Sequence, residues 1–255
     1  MNIFHTIFYQ PIFNGLIAIQ HVLPGHDLGL AIVIVTIIIR TILIWPSRSQ
    51  INSQRSLQVL QPKLKELQAK YKDNRQELAK QTMVLYREHK VNPLSSCLPL
   101  LIQLPFLFAL YQVFVSGLQI DPTTHLLKPE RLADLYGSLK TIYATTPINS
   151  ISLGFIDLLR NKNIIIAVLT GITQYLQTKM LTPTTNIPKV KGAEDERSAA
   201  TITRQMNYFL PIVTAYFSYI FPAGLGLYIL TTNIFSIAQQ WLLFRGKAQT
   251  EKPTP

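Results

Sequence analysis

Hydrophobic residues in this chain are gathered into long runs separated by polar stretches, not spread at one short period. The first run, LGLAIVIVTIIIRTILIWP at residues 28–46, carries one charge, Arg40. At about 1.5 Å per residue it is roughly 27 Å long, which matches the hydrocarbon thickness of a bilayer. Further apolar runs fall at 97–118, 206–221 and 223–244, the last two joined at Pro222. Another lies within 153–181, where a lead-in carrying Asp157 precedes a charge-free core at 163–178. Runs of this kind predict an all-α fold, a polytopic membrane protein with five transmembrane helices.

The intervening segments have their own patterns. Residues 1–27 are apolar but interrupted by Asn2, His5, Gln10, Asn14, Gln20 and His21, with no Lys or Arg to begin a signal peptide. Phe4, Phe8, Ile12 and Leu16 recur every four residues, so this segment is expected as an external amphipathic helix. Residues 47–96 place Leu57, Leu60, Leu64, Leu67 and Tyr71 on one helical stripe, with Pro62 as a kink or a restart. Asp73-Asn74 marks a turn and Asn92-Pro93 an end, which makes a helical hairpin, either a solvated spacer or a docking surface. An external loop at 119–152, a polar linker at 182–205 and a short disordered tail at 245–255 complete the chain. The 163–178 and 206–221 runs are short for a full crossing.

Composition supports this class. Of the 255 residues, 48% are hydrophobic and 15% charged, and the net charge is +11. In a soluble protein that charge would suggest nucleic acid as a partner; here its distribution explains it. Segments 47–96, 179–205 and 245–255 hold ten, five and three Lys or Arg, against five in 119–163. The positive-inside rule therefore puts the N-terminus outside and the C-terminus in the cytoplasm. The one cysteine, Cys97, has no disulfide partner. No nucleophile–base set, phosphate loop or metal cluster is evident, so no catalytic residue, metal or cofactor is expected.

Polar residues inside the runs supply the candidate chemistry. These are Arg40, Gln103, Gln112, Gln174, Gln177, Thr231, Thr232, Asn233, Gln239 and Gln240. Asn233 and Gln240 are seven apart, on one helix face with Ser236 between them. Each amide needs a helix partner or a hydrated cavity. Arg40 could snorkel toward the Trp45 end, but no Asp or Glu lies in a span core to neutralise it. A positively charged hydrophilic cavity open to the cytoplasm is the reading these residues support.

The stretches IIIRTILIWP, QPKLKELQAKYKD, REHKVNPLSSCLPLLIQLPFLFALY, LGFIDL, TQYLQTKM and FPAGLGLYILTTNIFSIAQQWLL resemble the YidC/Oxa/Alb family of membrane protein insertases, in that family's order. Ser95-Ser96 stands where the family often has Gly-Gly, and Ile229 where a tryptophan is common. The resemblance implies a short form without a large external domain, acting as an insertase and chaperone without nucleotide hydrolysis. It makes Arg40 the groove arginine and Gln103, Gln174, Asn233 and Gln240 groove-facing positions. The partners implied are nascent membrane-protein clients, the ribosome through the hairpin, the lipid bilayer and the general secretion channel, at a bacterial plasma (inner) membrane. A small-anion transporter or channel using Arg40 as counter-ion is the alternative.

Overall fold

The computed structural model describes residues 3–92, 98–121, 123–181 and 199–248. A π-helical stretch His5–Tyr9 runs into α1 (Gln10–Val22). Then come α2 (Leu28–Ile42), α3 (Ile44–Lys70), α4 (Arg75–Glu88) and α5 (Leu98–Gln112), the last continued by a π-helical stretch Val113–Gly117. Short helices α6 (Pro129–Leu132) and α7 (Gly137–Tyr143) precede an antiparallel pair, β1 (Ile151–Ser152) and β2 (Ile156–Asp157). The chain closes with α8 (Ile164–Leu181), α9 (Ala199–Ile220) and α10 (Ala223–Ala248). Among the described residues the regular structure is thus helical apart from one small hairpin and an isolated bridge between Ile120 and Leu127.

Helix α2 begins where Asp27 caps it, accepting from the Gly29 and Leu30 amides at 2.7 and 3.0 Å. Its end departs from expectation. Helical geometry fails at Leu43 (φ −86°, ψ 7°), and the chain bends by 69° into α3. Pro46 does not close α2; it falls in the first turn of α3, where a missing amide proton costs nothing. Nor does Pro62 restart a helix, since α3 is continuous to Lys70. Among the described residues no single helix is both long and apolar enough to cross a membrane, whereas α2 and α3 satisfy that test together as a bent pair. Shorter apolar helical segments are Leu101–Gly117 and Tyr208–Ile220.

Other boundaries shift for local reasons. Residues 151–157 form β1 and β2 around Leu153 and Gly154, both at positive φ (53° and 79°), so the lead-in to α8 is a tight turn. Helix α9 starts at Ala199, inside the stretch expected as a linker, because Ala199 to Thr203 contains no helix breaker. Helix α10 passes Arg245 to Ala248, beyond the expected start of a disordered tail. The start of the 97–118 run at Cys97, the Ser95-Ser96 pair, residues 182–198 and residues 249–255 lie outside the described residues.

The polar residues that interrupt the first segment have a structural use. Asn14 is 4% exposed and is held on both sides. Its Nδ2 donates to the carbonyls of Gln10 and Asp134 at 2.8 and 2.9 Å, and its Oδ1 accepts from the Tyr136 amide at 2.6 Å. Gln20, wholly buried, donates to the carbonyls of His26 and Asn149. Helix α1 and the 119–152 segment therefore share one hydrogen-bonded cap over a core that includes Phe13, Leu16, Ile17, Leu28, Ile32, Tyr143 and Leu158. Asp27 extends the cap by accepting from Ser152 Oγ and the Leu153 amide. Beneath it, α8 packs on both α9 and α10, and α10 packs along α2.

Candidate functional site

Helix α10 presents an unusual face. Tyr228, Thr231, Thr232, Asn233, Ser236, Gln239 and Gln240 are all buried, although six of the seven are small polar or amide side chains. Their spacing divides them by direction. Tyr228 and Gln239 turn toward the α2–α3 bend, where Gln239 Oε1 accepts from Ser47 Oγ at 3.0 Å and its Nε2 donates to the Ile44 carbonyl at 3.5 Å. Asn233 turns toward α8, donating to the Thr170 carbonyl and to Thr173 Oγ1 at 3.4 and 3.3 Å. Between these directions run Thr232, Ser236 and Gln240. Ser236 Oγ is satisfied by the Thr232 carbonyl at 2.9 Å. Gln240 Oε1 is buried with no hydrogen-bond partner among the described residues, and Thr232 lies one turn from Tyr228, whose phenol its hydroxyl meets. Leaving a buried acceptor unpaired costs about 1–3 kcal/mol, so this middle line is built to meet something polar.

Arg40 lies in the last turn of α2, half-buried, where a cation complements the helix dipole. Side chains on a helix lean toward its N-terminus. The Cβ of Arg40 therefore points back along α2, and α10, with Tyr228 buried in it, packs along that helix. Trp45 stands 84% exposed on the far side of the bend. The described ion pairs are His5–Asp134, Lys80–Glu77 and Arg160–Asp157, and none involves Arg40. Among the described residues this cation has no carboxylate partner.

The other expected positions divide. Asn233 and Gln240, seven apart, are buried on the same side of α10, around the helix from Tyr228. Gln103 is half-buried on the α5 stripe that Leu107 and Leu110 carry into the core. Gln174 is half-buried between two faces of α8: the one that Thr170 and Thr173 turn to α10, and the one on which Tyr175 meets Tyr208 of α9. Gln177 is better placed than Gln174. It lies one turn beyond Thr173 on the α10-facing side, and its Oε1 is buried without a partner. Its spacing of four from Thr173 and seven from Thr170 is a signal already present in the sequence. Gln239, already among the polar residues inside the runs, is joined to Ser47, and buried Tyr228 is a position that polarity alone does not single out.

The arrangement can solvate a polar group within an otherwise apolar bundle. It offers one unneutralised cation and a line of hydroxyl and amide oxygens. Among the described residues no three His, Cys, Asp or Glu side chains converge as metal ligands would.

Comparison with known proteins gives consistent matches. The family model described as 60Kd inner membrane protein matches residues 19–251. The membrane protein insertase YidC of Haemophilus influenzae is 34% identical over 238 residues, 93% of this chain and 36% of that protein. That of Histophilus somni is 32% identical over 237 residues, with the same coverage of 93% and 36%. The corresponding protein of Actinobacillus pleuropneumoniae is 32% identical over 236 residues, 92% of this chain and 36% of its own length. The chain thus spans little more than a third of these curated relatives.

Proposed function

The chain belongs to the 60Kd inner membrane protein family, and from that premise we propose that it is a membrane protein insertase and chaperone, not an enzyme. It works in a bacterial inner membrane, with α2, α5, α8, α9 and α10 as five crossings, the N-terminus outside and the C-terminus in the cytoplasm. The distribution of Lys and Arg supports that orientation. The hairpin of α3 and α4 then faces the cytoplasm, where it receives clients emerging from the ribosome and can meet the general secretion channel.

The observation that carries the reading is Arg40, half-buried in the last turn of α2, the helix along which α10 packs its buried polar residues, with no carboxylate partner among the described residues. A short hydrophilic, acidic flank of a client enters between α2 and α10 and makes charge-assisted contacts with that guanidinium. Gln240 and Gln177 supply acceptors for its backbone amides, so the segment is not stripped of hydrogen bonds. The apolar part of the client meanwhile moves into lipid beside α8 and α10, driven by hydrophobic transfer. No covalent step and no nucleotide is needed. The test is reconstitution: liposomes holding only this protein should insert a single-span client without nucleotide. Anion flux in the absence of insertion would instead favour the transporter alternative.

A further inference from the structure

The α3–α4 hairpin contains a recess that insertion through the α2–α10 groove does not use. It is lined by Ser49, Asn52, Ser53 and Ser56 of α3 and by His89, Lys90 and Val91 where α4 ends. The α3 residues follow i, i+3, i+4, i+7 spacing, so one face of the helix is hydroxyl and amide over about 10 Å. Farther along the helix the same face carries Leu60 and Leu67 toward α4. The seam therefore changes from apolar to polar where α4 stops. Ser56 Oγ donates back to the Asn52 carbonyl at 3.1 Å. Ser49 and Ser53 make no such back bond among the described residues, and both hydroxyls are free to donate outward.

The opposite wall is basic. Lys90 sits in the left-handed region (φ 53°), closed by its amide on the Arg87 carbonyl at 3.1 Å. His89 has a defined tautomer: Nδ1 donates to the Leu85 carbonyl at 3.0 Å, leaving Nε2 to accept from Lys63 Nζ at 3.0 Å. Lys63, held against His89, lines the neighbouring recess, which Glu66 and Glu88 share. Among the described residues no acidic side chain lines the Ser49–Lys90 recess. Free hydroxyl donors facing the Lys90 ammonium suit a phosphate oxyanion.

Position suggests where that phosphate comes from. The recess begins one turn beyond the exposed Trp45, an interfacial residue type, and α3 leaves α2 at 69°. With α2 upright in a bilayer, this part of α3 runs closer to the membrane plane than to its normal. We propose that the Ser49–Ser53–Lys90 recess binds the phosphate of an anionic phospholipid headgroup at the cytoplasmic surface, anchoring the base of the hairpin. The lipid source rests on the membrane orientation given above; the phosphate chemistry does not.

The experiment uses the full chain purified in detergent, with native mass spectrometry against added phosphatidylglycerol, phosphatidylcholine or inorganic phosphate. The wild type and Lys90→Arg should retain phosphatidylglycerol over phosphatidylcholine. The Ser49→Ala/Ser53→Ala/Lys90→Asn variant, in which Asn tolerates the left-handed backbone, should bind it about tenfold more weakly. Equal retention by that variant overturns the site. Binding of inorganic phosphate with no lipid retained overturns the headgroup assignment. Client insertion is assayed in parallel in phosphatidylcholine liposomes; its failure in the wild type counts against the insertase reading and leaves the lipid result to stand by itself.

Discussion

Arg40 is distinguished less by its charge than by what surrounds it. A guanidinium paired with a buried carboxylate would be neutralised; with no such partner among the described residues it keeps its attraction for an incoming anion. Replacement by Lys should therefore preserve most insertion of an acidic-tailed client, and replacement by Ala should reduce it about tenfold or more, read as protease-protected client in liposomes. Equal activity of the two variants would remove charge attraction from the mechanism. Asn14 illustrates a different kind of polar residue. Asn14→Ala leaves the Tyr136 amide and a side of the Asp134 carbonyl without partners, and should lower unfolding stability by about 1–3 kcal/mol in detergent. Asp27 links the cap to pH. Burial pushes its carboxyl up, but hydrogen bonds from Ser152 Oγ and from the Leu30, Leu153 and Gly29 amides outweigh this and hold it below its ordinary value of 3.8. Stability from this carboxylate is present above the ordinary value and is lost as pH falls through the depressed one. Acid titration of the wild type against Asp27→Asn should show the wild type losing its advantage only below about pH 4.

At the scale of elements, the helices were legible because hydrophobic runs and helix breakers are local signals. Asn74 caps α4 through the Glu77 amide, next to the Asp73-Asn74 turn that the sequence marks. The break at Leu43 was not legible, because Pro46 is compatible both with ending one helix and with starting another. Of the candidate site, Arg40, Asn233 and Gln240 could be read from polarity inside apolar runs. Gln177 was underweighted because choosing between neighbouring glutamines requires knowing which face of α8 meets α10. Elsewhere the packing depends on close approaches of α10 and α2 to other elements. A Cβ on Gly224 would lie 2.3 Å from Phe114 Cε1, and one on Gly29 2.1 Å from Ser152 Oγ. Gly224→Ala should push α10 off α5 and destabilise by about 1–3 kcal/mol, with Phe114→Leu restoring part of the loss. A stability loss that Phe114→Leu does not relieve would place the strain elsewhere.

For the whole molecule, the lengths of the elements matter together. Helix α2 has 15 residues before its bend and α8 has 18, about 22 and 27 Å of rise, and the apolar run in α9 spans residues 206–220. All fall short of a hydrocarbon core of about 30 Å. If these helices cross a bilayer as proposed, local thinning would match them, at a cost of fractions of a kcal/mol per Å. Such thinning beside α8 and α2, the helices that pack on α10, would shorten the distance a client's hydrophilic flank has to travel. Acyl-chain length should then act on insertion through the barrier. Rates for a client with a neutral flank should fall as vesicle lipids lengthen and rise as they shorten. A client whose acidic flank is drawn by Arg40 should show the same slope at a higher rate, because electrostatic attraction and path length are separate contributions. A rate independent of chain length, in vesicles with equal protein incorporation, would mean that these helices are covered by something other than thinned lipid.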